Sequence, residues 1–367
     1  MIPSKKWKKS GVPQPRRMSS VMTIELLEEL GIKEGDSIEN RSKNGKRFGP
    51  PWRLALAQRI CGPLPPVFSQ RMRAVLYPWS CALRDSLDFI VKCQTGSLLK
   101  GNTGDFPAYP VAVHGYNIIR SLAIAIAECC LGDTIIEIGA NTGTETVSFA
   151  DIVGPSGKVF AFEPLPSNLA LLCQNRELNK ASNIVVMPLA LADRRGKLQF
   201  TSPTGTNSGI GHLSNDSDSA ATLEVNTETL DEMAAQIGPA KLIAMDVEGA
   251  EILVLRGARQ YIQRHKPTMI MEADPRLLAR IGFSIRDLYD AIAGMGYEAF
   301  EIGKLRLRKL DIDSLGQKSD WLCVGSERAS RVQRIQASLW KCLLLPCVAR
   351  MNPVTAVGRT RTRAAAS

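Results

Sequence analysis

The stretch that most limits what this chain can fold into is 134–145, Thr-Ile-Ile-Glu-Ile-Gly-Ala-Asn-Thr-Gly-Thr-Glu. An apolar run over 134–138 enters a turn bounded by two glycines, and a helix opens after it with Thr142 or Thr144 as its cap. Glycine at 139 permits a backbone conformation that a Cβ forbids. Glycine at 143 lets the helix start lie close to a ligand. The first turn of that helix offers free N–H groups and a partial positive charge. Strand, glycine turn and helix in this order form the first half of a nucleotide-type site in an open α/β sheet.

The residues within the turn narrow the ligand. A dinucleotide site needs glycine at 141 to admit a pyrophosphate, and the residue there is Asn141. Glu137, two residues before Gly139, repels a pyrophosphate and suits a cation. Acid-x-Gly-x-x-x-Gly is a pattern for S-adenosylmethionine, which has a sulfonium and an ammonium but no phosphate. On its own the motif competes with a plain strand–turn–helix carrying a chance glycine pair. A second signal lies downstream: residues 158–163, Lys-Val-Phe-Ala-Phe-Glu, form another apolar run ending in an acid. Glu163 follows Gly143 by 20 residues, near the offset where such folds set a carboxylate on ribose hydroxyls.

The charge is uneven along the chain. Residues 1–100 hold 18 Lys and Arg against 8 Asp and Glu, and residues 328–367 hold 8 against none, so the central residues 101–327 are acidic in balance. Basic ends can touch nucleic acid or anionic lipid, although solvated tails are the commoner reading. Nine cysteines without a Cys-x-x-Cys pair, and three histidines without paired spacing, argue for reduced thiols and against a disulfide framework or a metal site. Met1 is followed by Lys-rich residues and not by an apolar core, so no secretory signal is read. The longest apolar runs fall short of the ~20 residues a spanning helix needs. Together these point to a soluble, cytoplasmic protein without a transmembrane segment.

Residues 1–20 read as a disordered basic tail. Residues 21–109 read as a mostly helical extension: a short helix at 23–30, a linker at 35–51, and helices at 52–61 and 79–93. The catalytic domain is expected at 110–327, with a basic C-terminal tail at 328–367 containing an amphipathic stretch at 332–345. Seven strands alternating with helices predict a doubly wound α/β sheet. Residues 201–221, almost all Thr, Ser, Gly, Asn and Asp, read as an exposed loop of lid length.

Four stretches together resemble one family. They are Ile135-Ile-Glu-Ile-Gly-Ala-Asn-Thr-Gly143, Phe162-Glu-Pro-Leu-Pro166 with Leu178-Asn179, Thr229-Leu-Asp231, and Met245-Asp-Val-Glu-Gly-Ala-Glu251. They are similar to the FkbM family of S-adenosylmethionine-dependent methyltransferases, over residues 110–325. The resemblance implies a class I, Rossmann-like fold of seven strands with the last antiparallel. It also implies S-adenosylmethionine as cofactor, and O-methylation of a hydroxyl on a sugar, glycan or natural product. In the family pattern the cofactor turn falls on Gly139, Ala140, Asn141 and Gly143, and the ribose ligand on Glu163. Two positions depart from it. Glu137 stands where the first strand usually ends in Asp, and Ala244 replaces the lysine of a Lys-Ile-Asp on the fourth strand.

Asp246 and Glu248 lie at the carboxyl end of that fourth strand, where ligands bind in such sheets. A carboxylate there can take the proton of an acceptor hydroxyl as its oxygen is alkylated. The bland alternative is an acid stabilising the next helix through its dipole, which fits Glu251 better. Asp193 sits where this fold often binds the adenine amino group, or else makes an Asx turn before Arg194. His212 is a base candidate in the polar loop or a lone surface histidine; His114 and His265 are assigned to structure. Two rival functions remain: an RNA methyltransferase holding phosphates with the basic ends, and a non-catalytic binder of the cofactor.

Overall fold

The structure, a computed structural model, describes residues 52–201, 212–213, 222–312, 316–325 and 328–346. The tail at 1–20, the helix at 23–30, the linker at 35–51, most of the 201–221 loop and residues 347–367 lie outside the described residues.

Three helices, Trp52–Cys61, Pro66–Leu76 and Trp79–Asp85, come first and pack around the buried Tyr77, Cys81 and Tyr109. The helix expected at 79–93 stops early, because Ser86 takes a left-handed conformation. The β-branched and aromatic Asp88-Phe-Ile-Val-Lys92 that follows forms strand β1 (Asp88–Lys92), hairpinned to β2 (Leu98–Asn102). Helices Ala108–His114 and Ile119–Glu128 lead into the main sheet. Among the described residues no single helix is long and apolar enough to cross a membrane. These two pass such a test only as a pair bent by 80°, and their side chains are largely buried in the protein core.

The main sheet begins with β3 (Thr134–Ile138), β4 (Lys158–Phe162) and β5 (Ile184–Met187). A side sheet follows, made of β6 (Ala190–Leu191), β7 (Gly196–Thr201), β8 (His212–Leu213) and β9 (Thr222–Glu228). The chain then returns through β10 (Leu242–Met245), β11 (Thr268–Ala273), β12 (Glu298–Ile302), β13 (Leu307–Lys309) and β14 (Ser319–Val324). Across the main sheet the order is β13-β12-β14-β11-β10-β3-β4-β5. The five strands from β5 to β11 run parallel, and β14 runs antiparallel to both β11 and β12. The sheet has eight strands where seven were expected. The extra one, β13, folds back on β12 at the edge; its charged Arg308 and Lys309 hid it from an apolar scan. Part of the presumed loop is also ordered as β8, which pairs with the end of β7.

Both faces of the main sheet are covered, which is why its strands read as continuous apolar runs. Ile135 packs on one face with Leu122 and Phe149, while Ile136 and Ile138 pack on the other with Tyr261 and Trp321. Helix starts follow local chemistry. Thr229 caps Leu230–Ile237 through a bond from the Glu232 N–H, and Ser284 with Asp287 forms a capping box on Ile285–Gly294. Asp231 of the Thr-Leu-Asp stretch accepts from the N–H groups of Gln260 and Tyr261, tying the next helix, Arg259–His265, to this one. The amphipathic stretch after 328 is a helix, Arg328–Leu344. It lies against Ile119–Glu128 and buries Ile335, Leu339, Cys342 and Leu343.

Candidate active site

The chain leaves β3 for β4 and β5 on one side, then returns to β10 on the other. The crevice above the carboxyl ends of β3 and β10 is the switch point at which open α/β sheets bind ligands. A cavity of about 340 Å³ opens there.

The turn after β3 is built by close backbone approach. Gly139 has φ 86°, and a Cβ on it would stand 1.9 Å from the carbonyl oxygen of Asp246. Its N–H and that of Ala140 both donate to the Phe162 carbonyl at 2.9 Å, which locks the turn to β4. Asn141 is left-handed, at φ 50°. Its N–H donates to Glu163 Oε2 at 2.8 Å, and its own Oδ1 is buried with no partner among the described residues. The turn runs to Glu145, and the helix Thr146–Val153 begins without a side-chain cap, so neither Thr142 nor Thr144 caps it. Gly143 serves packing: a Cβ there would meet Leu172 at 2.8 Å.

Glu163 is buried and bound from three sides, by the N–H groups of Asn141 and Leu165 and, at 3.4 Å, by Asn168. Burial lifts its carboxyl to about 7 despite those bonds. Glu137 is also buried; burial pushes it to about 8, although Thr146 donates to it at 2.6 Å. Burial thus lifts both of these acids toward the neutral pH range.

The other end of the cavity follows from sheet register. Glu137 pairs with Ala244 across β3 and β10, and Ala244 with Ile270 across β11. One step further along the same face come Asp246, whose N–H continues the ladder to Ile138, and Glu272, paired with Asp320 of β14. Asp246 lines this cavity and is exposed. The surrounding protein raises its carboxyl well above the usual range, and Glu272, Glu248 and Glu251 add to that while Lys318 opposes it. Glu248, left-handed at φ 51°, is pushed to about 7 by burial and by Glu272. Glu251 begins the helix Glu251–Gly257 as expected, but is fully buried, held by the Gly249 N–H, and lifted to about 7 by burial.

Glu137, Gly139, Ala140, Asn141, Glu163, Asp246 and Glu248 therefore converge on one cavity. Asp193 does not: it is exposed, and the lining stops one residue earlier at Ala192. The side chain of His212 lies outside the described residues. His114 is buried against Tyr116, and His265 lies beside Tyr261, both away from the cavity lining.

Five charged lining residues, Glu145, Glu272, Asp320, Arg120 and Lys318, were not among the sequence-predicted site residues. Glu145 is raised well above the usual range by burial and by Glu137 and Asp246, and one of its oxygens has no partner among the described residues. Glu272 ends β11 as Glu163 follows β4 and Asp246 follows β10, so the repeated acid at strand ends was a visible signal. Arg120 and Lys318 gave none, since an isolated cation before a strand or inside a helix start looks like any surface charge. Arg120 meets Asp320 at 3.4 Å, and Lys318 is bonded to Glu272.

Residues 137–299 match a family model described as the methyltransferase FkbM domain. A curated protein of Sulfurisphaera tokodaii, a probable cobalt-precorrin-6B C(15)-methyltransferase (decarboxylating), is 38% identical over 69 residues. That match covers 19% of this chain and 36% of the relative, so the chain spans little more than a third of that protein's length. Among solved structures, a methyltransferase FkbM from Methylobacillus flagellatus is 15% identical, with 74% of this chain and 59% of that one covered and a TM-score of 0.33. An S-adenosylmethionine-dependent O-methyltransferase from Thermotoga maritima is 12% identical, with 56% and 64% covered and a TM-score of 0.31.

Proposed function

We propose that this chain, with its FkbM methyltransferase domain at residues 137–299, transfers a methyl group from S-adenosylmethionine to a hydroxyl of a sugar, glycan or natural product. One observation carries the reading. Among the described residues, seven carboxyl side chains line a single cavity (Glu137, Glu145, Glu163, Asp246, Glu248, Glu272 and Asp320) and two cationic ones join them, Arg120 and Lys318. Such a site gains from a bound cation and is hostile to a phosphate.

The residues fit the cofactor. The orphaned Oδ1 of Asn141 is a buried acceptor without a donor, and Glu163 keeps a lone-pair site beyond its three protein contacts. Glu163 would hold the ribose hydroxyls. Glu137, Gly139, Ala140 and Asn141 would hold the rest of the cofactor, with Gly143 contributing by packing. Asp193 would contribute from the rim. When bound, S-adenosylmethionine supplies an electrophilic methyl group on a sulfonium, whose carbon–sulfur electron pair leaves with the sulfur.

The chain supplies alignment and a base. Asp246 takes the hydroxyl proton onto its carboxylate oxygen as the acceptor oxygen gains the methyl carbon. Glu248, on the same turn, orients the acceptor. Two measurements test the proposal. Calorimetry is expected to show binding of S-adenosylhomocysteine and none of NAD; the reverse overturns the cofactor assignment. Transfer of a labelled methyl group is expected on hydroxyl acceptors; transfer confined to amines or RNA overturns the acceptor class.

A further inference from the structure

We propose that Lys318, tethered by Glu272 in this cavity, is a positioning cation that favours the ionised form of Asp246 and Glu248. The inference rests on the methyltransferase reading of this cavity and goes beyond it by naming a residue that no strand-end motif contains.

The geometry is that of two adjacent rows on one face of the sheet. In the first, Glu137 lies in register with Ala244, a small apolar residue that brings no charge to that row. In the second, at the carboxyl edge, Glu272 of β11 pairs with Asp320 of β14, and Asp246 follows β10 one residue beyond the Met245–Met271 pair. Arg120 meets Asp320 at 3.4 Å, but without a further cation Glu272 pushes the Asp246 carboxyl toward its protonated form. A protonated Asp246 cannot accept a proton.

Lys318 arrives from outside the rows, on the residue before β14. It lines the cavity and is bonded to Glu272. Burial alone would lower its ammonium, but Glu272 and, more weakly, Asp246 and Glu248 hold it above its ordinary value. The other charges facing Asp246 and Glu248 are acidic for the most part. Glu251 comes from the helix start, Asp274 from the end of β11, and Glu145 from the β3 side; Arg280 opposes them at Glu248. Glu272 is the tether: one oxygen holds Lys318, and the other is buried with no partner among the described residues. Lys318 therefore acts on the proton acceptor through charge, without needing to touch the acceptor itself.

The test reads carboxyl titration in the full chain, with glutamate and aspartate labelled by 13C at the side-chain carboxyl. Signals are assigned by loss in Glu248→Gln and Asp246→Asn. In Lys318→Met the Glu248 midpoint is expected to rise from about 7 by roughly one pH unit, the usual effect of losing a near opposite charge. The Asp246 signal should move the same way. Lys318→Arg should restore both midpoints. Lys318 is half-exposed, so both variants should fold, and circular dichroism checks this. Unmoved midpoints in Lys318→Met, or an equal rise in Lys318→Arg, overturn the proposal. S-adenosylhomocysteine binding is measured on the same samples. If it binds and the midpoints stay, only the Lys318 inference fails; if it does not bind to the wild-type chain, the functional reading fails.

Discussion

Asp246 and Glu163 divide the site between chemistry and binding, and substitution separates them. Asp246→Asn keeps the shape and removes the base, so turnover should fall by roughly 10²–10⁴-fold with cofactor affinity nearly unchanged. Loss of cofactor binding instead would place that carboxylate on the cofactor side. Glu163→Ala should weaken cofactor binding by about 2–3 kcal/mol, the value of two charge-assisted bonds. It also strips the Asn141 and Leu165 N–H groups of their acceptor, so thermal stability should drop as well, and calorimetry with melting curves reads both. Burial lifts the carboxyls of Glu163 and Glu137 to about 7 and about 8. A cationic ligand needs them ionised, so affinity for S-adenosylmethionine should rise from pH 6 and level off above 8. These two acids were legible because the strand–glycine–helix grammar ties each to a fixed offset. Lys318 was not, because its importance comes from β14 lying beside β11, an adjacency between segments far apart in the chain.

Elements carry the site through backbone contacts that side-chain reasoning misses. Gly257, at the junction of Glu251–Gly257 and Arg259–His265, has no room for a Cβ, which would stand 1.9 Å from the Ala192 carbonyl oxygen. Leu189 to Ala192 line the cavity. Gly257→Ala should therefore push that segment, costing about 1–3 kcal/mol and weakening cofactor affinity together. A loss of stability with affinity intact would show that the lining segment adjusts independently. The helix Arg328–Leu344 gives the contrasting case. Leu339 is buried within the core shared with Ile119–Glu128 but does not line the cavity, so Leu339→Ala should cost about 2–5 kcal/mol without affecting affinity in the folded protein. The apolar spacing of this helix was visible in the sequence. What it covers was not, since its basic residues read as a tail, whereas Arg331 and Arg334 in fact flank the buried carboxylate of Glu128. The same limit explains the β1–β2 hairpin: Asp88–Lys92 follows a helix closely enough to extend its pattern, and only the left-handed Ser86 breaks it.

At the scale of the molecule, concentrating acids in one cavity makes folding and ligand binding compete for the same charges. Glu137, Glu163, Glu248 and Glu251 have folded values of about 8, 7, 7 and 7, each raised chiefly by burial. An unfolded glutamate titrates near 4.3, so above that pH the folded state holds protons that the unfolded state has released. Stability then falls as pH rises from about 4.3 to 8. Other groups complicate the acid side: His114 is held well below its ordinary value by burial, which favours the folded state as pH rises through about 6.5. Buried thiols such as Cys93, raised to about 12, add a loss of their own only toward about pH 9 and beyond. The window from pH 6.5 to 8 isolates the carboxyls. Across it the melting temperature of the ligand-free chain should fall, and Glu137→Gln should flatten the slope by removing the most strongly raised of these four carboxyls. S-adenosylmethionine should recover more stability at pH 8 than at pH 6.5, because mass action follows an affinity that itself rises with pH. A melting temperature that stays level or climbs from pH 6.5 to 8 would mean that these carboxyls ionise freely in the folded protein, and the site would then have no electrostatic need for a cationic ligand.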